Sequence, residues 1–256
     1  MTRPVAWETY TAILFDLDGV ITPTAVVHTQ AWEERFNAYL QEKTPGAPAY
    51  TDQDYFAYVD GKPRYDGVRD FLASRDIQIP EGTPEDAPEL ETVCGLGNRK
   101  NNAFNEVLER DGVKAYPGSV KFLDYLTTLD VRLGVVSSSV NAPNVLKAAG
   151  LLDRFETVVS GAVADEQGLP GKPAPDTFVY AGKVLGATPS GAVVLEDAVS
   201  GVRAGKAGEF ALVVGVDRGA GHDVLTAAGA SLVVSDLAEL IPDGHSPESP
   251  ARGAQQ

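Results

Sequence analysis

Short runs of uninterrupted apolar residues alternate with stretches of helical periodicity along most of this chain. The first run, Ala12-Ile-Leu-Phe15, is apolar at every position rather than at every second one. That pattern fits a strand buried on both faces of a parallel sheet. Residues 131–136, 157–160, 192–195, 211–214 and 231–234 repeat the signature. Between them, 120–129, 144–149, 175–185 and 200–207 read as helices, the third started by a proline. Strands alternating with helices predict a doubly wound α/β fold with a parallel sheet and helices on both faces.

One interval breaks the alternation. From residue 26 to 112 the pattern predicts helices and no strand. In 26–40, Val27, Ala31, Phe36, Tyr39 and Leu40 recur at roughly helical spacing, and the Pro- and Gly-rich stretch 44–48 ends the helix. An aromatic-rich helix is expected over 52–59 and a loop over 60–64. A helix over 66–75 carries Val68, Phe71 and Leu72 on one face. Residues 79–90 are rich in proline and acid and read as an exposed loop. Residues 97–101 then lead into a helix ending at Leu108. The expectation is a core of 1–25 and 113–242, a helical domain of 26–112 inserted after the first strand, and a disordered Pro/Ser/Gly/Gln-rich tail of 243–256.

Composition narrows the partners. The chain has 256 residues, 43% hydrophobic and 22% charged, which suits a soluble protein with a sizeable core. The length leaves open one large domain or two smaller ones. Its formal net charge is −15, and the pI is about 4.5. Such a field repels nucleic acid and anionic membranes, so neither is expected as a partner. An anionic substrate would need local Lys, Arg or a metal ion. A single cysteine, Cys94, rules out an intrachain disulfide and reads as a small hydrophobe in a reducing compartment. No leader-like segment or membrane-length apolar run is evident, so a cytoplasmic location is expected.

Four polar constellations fall at predicted strand ends or in the loops after them. They are Asp16-x-Asp18, Ser137-Ser138-Ser139-x-Asn141, Lys172 within Gly171-Lys-Pro-Ala-Pro175, and Glu196-Asp197. Each alone has an ordinary structural explanation: turn chemistry or a calcium-loop fragment, a helix-entry loop, a solvated lysine, and an acidic helix start. In a parallel sheet, however, all strand C-termini face one way, so the four can converge. Carboxylates from two strand ends suit a hard cation such as Mg²⁺, and a hydroxyl with a lysine suits phosphate oxygens. An aspartate beside a metal-bound phosphoryl group is a plausible nucleophile.

In order and placement these motifs resemble the haloacid dehalogenase superfamily. Within it, the pattern Thr24-x₃-His28-x₃-Trp32, Arg64 after a Gly-containing loop, and Arg99-Lys100-Asn101 are similar to the β-phosphoglucomutase-like branch. The resemblance implies a Rossmann-like core with a helical cap. It also implies that Asp16 becomes phosphorylated and Asp18 acts as general acid and base. Mg²⁺ would be held by Asp16, the Asp18 main-chain carbonyl, Glu196 and Asp197. Ser137 and Lys172 would hold the transferring phosphoryl group, with Ser138 and Asn141 nearby. Arg64, Lys100 and Asn101 would clamp a second phosphate, and Thr24, His28 and Trp32 would line the hinge and sugar side. Arg64 and Lys100 could equally be solvated surface charges, and His28 and Trp32 ordinary packing.

The chain departs from close relatives at three points: Pro63 and Ala198 stand where a Ser is expected, and Pro23 where an Asp is frequent. The Pro-rich segment near residues 80–88 is also longer. The implied activity is interconversion of β-glucose 1-phosphate and glucose 6-phosphate by a monomer, through a glucose 1,6-bisphosphate intermediate. A sugar-phosphate phosphatase on the same scaffold is the main alternative, and a receiver-like phosphate-binding module a distant one.

Overall fold

The computed structural model describes residues 5–242; the expected tail at 243–256 lies outside them. Six parallel strands form one sheet: β1 Ala12–Phe15, β2 Arg132–Val136, β3 Thr157–Val159, β4 Ala192–Glu196, β5 Leu212–Val216 and β6 Leu232–Val234, in the order β3-β2-β1-β4-β5-β6. β1 is central. Phe15 pairs with Val135 on one side and Leu195 on the other. The chain runs outward from β1 to β3, then returns to β4 and continues to β6. The order therefore reverses between β1 and β4, where doubly wound sheets open a crevice at the strand C-termini.

Both faces of the sheet are covered, which explains why the strands read as unbroken apolar runs. Ile13, Phe15, Val193 and Leu195 enter one hydrophobic cluster, and Ala12, Leu14, Val194 and Phe178 the other. The helices in chain order are α1 Thr24–Lys43, α2 Asp52–Asp54, α3 Arg64–Ser74, α4 Val93–Asp111, α5 Pro117–Leu126, α6 Ala142–Ala148, α7 Gly161–Glu166, α8 Asp176–Val184, α9 Val199–Ala207 and α10 His222–Ala228.

The described segment from α1 to α4 holds helices and loops and no strand of the sheet. It has its own core, in which Trp32 stacks on Phe36 at 4.9 Å and Phe36 meets Phe71 at 4.2 Å. Its foot is shared with the sheet domain: Phe104 of α4 and Val27 of α1 pack in the cluster around Phe15.

Several element limits differ from the sequence reading for identifiable reasons. α4 begins at Val93, not near 97, because the Thr92 hydroxyl accepts from the Gly95 amide at 2.9 Å and caps it early. Arg99, Lys100 and Asn101 are therefore interior to the helix rather than its opening. α5 starts at Pro117 with proline in the first turn. The helix expected over 52–59 is one turn, α2, followed by a π-helical turn at Tyr55–Val59. Two short helices, α7 and α10, had not been expected; the first is capped by Ser160.

Candidate active site

The chain leaves β1 still bonded to β4, with the Asp16 amide donating to Leu195 O at 2.9 Å. It then turns sharply. Gly19 has φ +85°, and a side chain there would overlap the Asp197 carboxylate. The turn is locked from distant parts of the sequence. Arg218 Nε donates to Gly19 O at 2.8 Å, Ser119 Oγ to Val20 O at 2.6 Å, and the Tyr116 amide to Ile21 O at 2.9 Å.

Lys172 is buried at the centre. Its Nζ donates to Asp16 Oδ1 at 2.5 Å, Glu196 Oε1 at 2.5 Å and Val136 O at 3.0 Å, joining the ends of β1, β4 and β2. Burial alone would lower its pKa, but Asp16 and Glu196 outweigh that and raise it, so the ammonium is charged. Burial pushes the Asp16 and Asp197 carboxyls well above the ordinary range. Neighbouring acids push the same way, and Lys172 opposes this at Asp16. One lysine does not balance this group. Asp16, Glu196 and Asp197 each offer a carboxylate oxygen, and these lie within 4.8 Å of one another. A crowded, buried, all-oxygen donor set of this kind fits a hard divalent cation.

Asp18 has different surroundings. Its Oδ1 accepts from Thr24 Oγ1 and lies 3.5 Å from His28 Nε2. Burial raises its pKa, but His28, Thr24 and the Lys100 charge outweigh that and hold it below the usual value. His28 Nδ1 meets Lys100 Nζ, and the His28 ring stacks on Phe104 at 4.0 Å. Burial and the Lys100 charge lower the His28 pKa, favouring neutral imidazole. In that tautomer Nδ1 accepts from Lys100 and Nε2–H faces Asp18. Asp16 and Asp18 thus sit two residues apart in opposite charge environments, the first among acids and Lys172, the second beside His28 and Lys100.

These groups open onto a cleft of about 330 Å³. Of the residues singled out in the sequence, Asp16, Asp18, His28, Trp32, Arg64, Lys100, Asn101, Ser137, Ser138 and Asp197 line it. Thr24, Asn141, Lys172 and Glu196 form its supports. Asn141 Nδ2 donates to Asn101 Oδ1 at 2.8 Å, a direct tie between sheet domain and insertion. Arg64 Nη2 donates to the Tyr65 hydroxyl at 2.8 Å, while its buried Nε has no partner among the described residues.

Ser139 of the Ser137-Ser138-Ser139 constellation also lines the cleft, while the sequence reading missed Asp60 and Lys62 in the lining. Asp60 carries the clearest signal, an acid at a helix end directly before Gly61-Lys-Pro-Arg64. Its pKa is pushed up to about 7 by burial and by Glu196. Of the departures from close relatives, Pro63 packs against Gly171 and Ala198 against Gly61.

Fold and site together define a doubly wound α/β protein with paired aspartates just after its first strand and a helical insertion over the strand ends. The sequence profile of the haloacid dehalogenase-like hydrolases matches residues 10–208, and the chain belongs to that family. It is 49% identical over 246 residues to the β-phosphoglucomutase of Mycobacterium bovis, covering 91% of this chain and 92% of that one. It is 31% identical to the β-phosphoglucomutase of Bacillus subtilis, covering 90% and 91%. The crystal structure of a β-phosphoglucomutase from Clostridium difficile shares the fold, with a TM-score of 0.74 at 24% identity over 91% of this chain and 93% of that one.

Proposed function

We propose that this chain is a phosphosugar mutase that interconverts β-D-glucose 1-phosphate and D-glucose 6-phosphate through a bound glucose 1,6-bisphosphate. One observation carries the reading: acids at the sheet end and cations on the insertion, Arg64 and Lys100, line the same roofed cleft. The 49% identity to a β-phosphoglucomutase supports the substrate class.

In the forward direction Asp16 accepts the phosphoryl group from the bisphosphate, forming its carboxylate O–P bond as the sugar O–P bond breaks. Asp18 gives its proton to the departing sugar oxygen. With the O1 phosphoryl group on Asp16, glucose 6-phosphate leaves and β-glucose 1-phosphate enters with its 6-hydroxyl towards Asp16. Asp18 takes that hydroxyl's proton as the Asp16 O–P bond breaks and the O6–P bond forms, which regenerates the bisphosphate. Lys172 holds Asp16 Oδ1 in place and offsets charge at the donor oxygens. Ser137 stands at the end of β2, where its hydroxyl can contact the group in transit. Arg64 and Lys100 hold the phosphate that is not being transferred, and Arg presents a donor geometry matched to it. Asp16, Glu196 and Asp197, with the Asp18 main-chain carbonyl, would hold Mg²⁺, which when bound neutralises phosphoryl charge. Residues 26–112 serve as the cap that keeps water from the phosphorylated Asp16.

The test is incubation with β-glucose 1-phosphate, Mg²⁺ and a trace of glucose 1,6-bisphosphate, following glucose 6-phosphate and free phosphate together. Glucose 6-phosphate should accumulate with little phosphate. Stoichiometric phosphate without isomerised sugar would make the protein a phosphatase and overturn the mutase reading.

A further inference from the structure

The loop at residues 60–63, between the π-helical turn and α3, lies directly on the sheet domain. Its contacts fall one to three positions from residues of the phosphoryl-transfer centre. Ser138, next to Ser137, donates its hydroxyl to Gly61 O at 2.8 Å. Ser200, three residues beyond Asp197, donates to Asp60 O at 2.9 Å. Gly171, next to Lys172, is bare against Pro63; a Cβ there would lie 2.9 Å from Pro63 Cδ. Gly61 itself has φ +68°, and a Cβ on it would lie 2.8 Å from that of Ala198.

The two hydroxyls satisfy consecutive carbonyls at the seam. A carbonyl buried there without a protein donor needs water. Water at this seam would stand beside the Asp16 cleft. The loop also fixes the start of α3, where Pro63 precedes Arg64, and it carries the Asp60 carboxyl into the cleft.

We propose that Ser138 and Ser200 are positioning residues that seal loop 60–63 onto the sheet domain. They thereby determine whether phosphorylated Asp16 gives its phosphoryl group to a sugar hydroxyl or to water. Hydrolysis forms a water O–P bond, breaks the Asp16 O–P bond and passes a water proton to Asp18; transfer does the same with the sugar hydroxyl. On this assignment the Ser138 hydroxyl serves the loop rather than the phosphate. The inference rests on the covalent mechanism proposed above.

Ser138→Ala, Ser200→Ala and the double variant test it in the Mg²⁺ assay with β-glucose 1-phosphate. Each single change should raise the ratio of free phosphate to glucose 6-phosphate about fivefold, and the pair about 25-fold, the sizes expected from one and two net hydrogen bonds. A ratio that stays constant while both rates fall overturns the proposal, and the single variants decide it where the double variant does not fold. Should the wild type yield only phosphate, the mutase reading fails, and amide hydrogen exchange of residues 58–66 then judges the seal. Exchange there should be about fivefold faster in each single variant. Unchanged exchange overturns the seal independently of the mutase reading.

Discussion

Two lysines, one in each half of the molecule, are equally buried at 3% exposure and have opposite surroundings. Lys172 of the sheet domain donates to two carboxylates and a carbonyl, and its pKa is raised. Lys100 of the insertion meets His28 Nδ1 and lies over the Trp32 and Phe104 rings at 5.0 and 5.2 Å. Among the described residues no carboxylate forms an ion pair with it. Burial lowers its pKa to about 7, with Asp18 opposing and Arg64 reinforcing. The sheet wall holds its cation in place with fixed acids. On the insertion wall Lys62 and Arg69 are paired with acids, whereas Lys100 and Arg64 have no carboxylate ion pair among the described residues, as the proposed second phosphate site requires.

Removing each charge tests that contrast, and the larger effect belongs to the sheet domain. Lys172→Met leaves Asp16 and Glu196 buried together without their cation. Breaking a buried pair in this way costs about 3–5 kcal/mol. Urea unfolding should show a loss of that order, and turnover should fall below detection. A variant with wild-type stability would mean that the acids are neutralised by other means and would remove the basis of the comparison.

Lys100→Met should act in the opposite direction on stability. Its folded pKa, about 7, lies below the ordinary value near 10.4. Between those values the unfolded chain binds more protons than the folded one, so the wild type gains stability as pH rises, by at most about 1.4 kcal/mol per unit. Below pH 7 both states are charged and the burial cost is fully present. Methionine keeps the packing against Trp32 and Phe104 without the charge. The variant should therefore be more stable than wild type at pH 6.5, with the gap closing towards pH 10 in parallel urea titrations, while the KM for the sugar phosphate rises. A constant gap across that range would place an anion partner on Lys100 already and blur the distinction between the two walls.

The same division governs what the sequence discloses. The strands and Asp16, Ser137 and Glu196 are legible because a buried parallel strand is a local apolar run and its C-terminal end is fixed by topology, whereas Lys172 follows α7 and is placed by its Gly-Lys-Pro motif. Contacts across the cleft have no local signature. Ser138 and Gly61 are 77 positions apart, and Ser200 and Asp60 are 140 apart. Nothing in either neighbourhood marks a hydroxyl as reserved for a distant carbonyl. The resemblance to a family supplied Arg64, Lys100 and Asn101, which periodicity alone would have left as surface polar residues. The early start of α4 was hidden because Gly95 and Gly97 weaken the helical pattern where Thr92 is setting it.

Thr92 gives the smallest and most local test. Its Oγ1 accepts from the Gly95 amide and donates to Asp86 Oδ2 at 2.6 Å. Asn98 Nδ2 adds bonds to Pro84 O at 3.0 Å and Asp86 O at 2.9 Å, so the Pro-rich loop is pinned to the first turns of the helix that carries Lys100. Thr92→Ala should cost about 1 kcal/mol, the usual worth of an N-cap, and Thr92→Ser should recover most of it. Frayed turns lie upstream of Lys100, so KM should rise slightly while the rate of Asp16 phosphorylation, measured by rapid quench, stays near wild type. A fall in that rate as large as the change in KM would show that the insertion and the sheet domain respond as one unit, and would count against treating their two walls as separate charge systems.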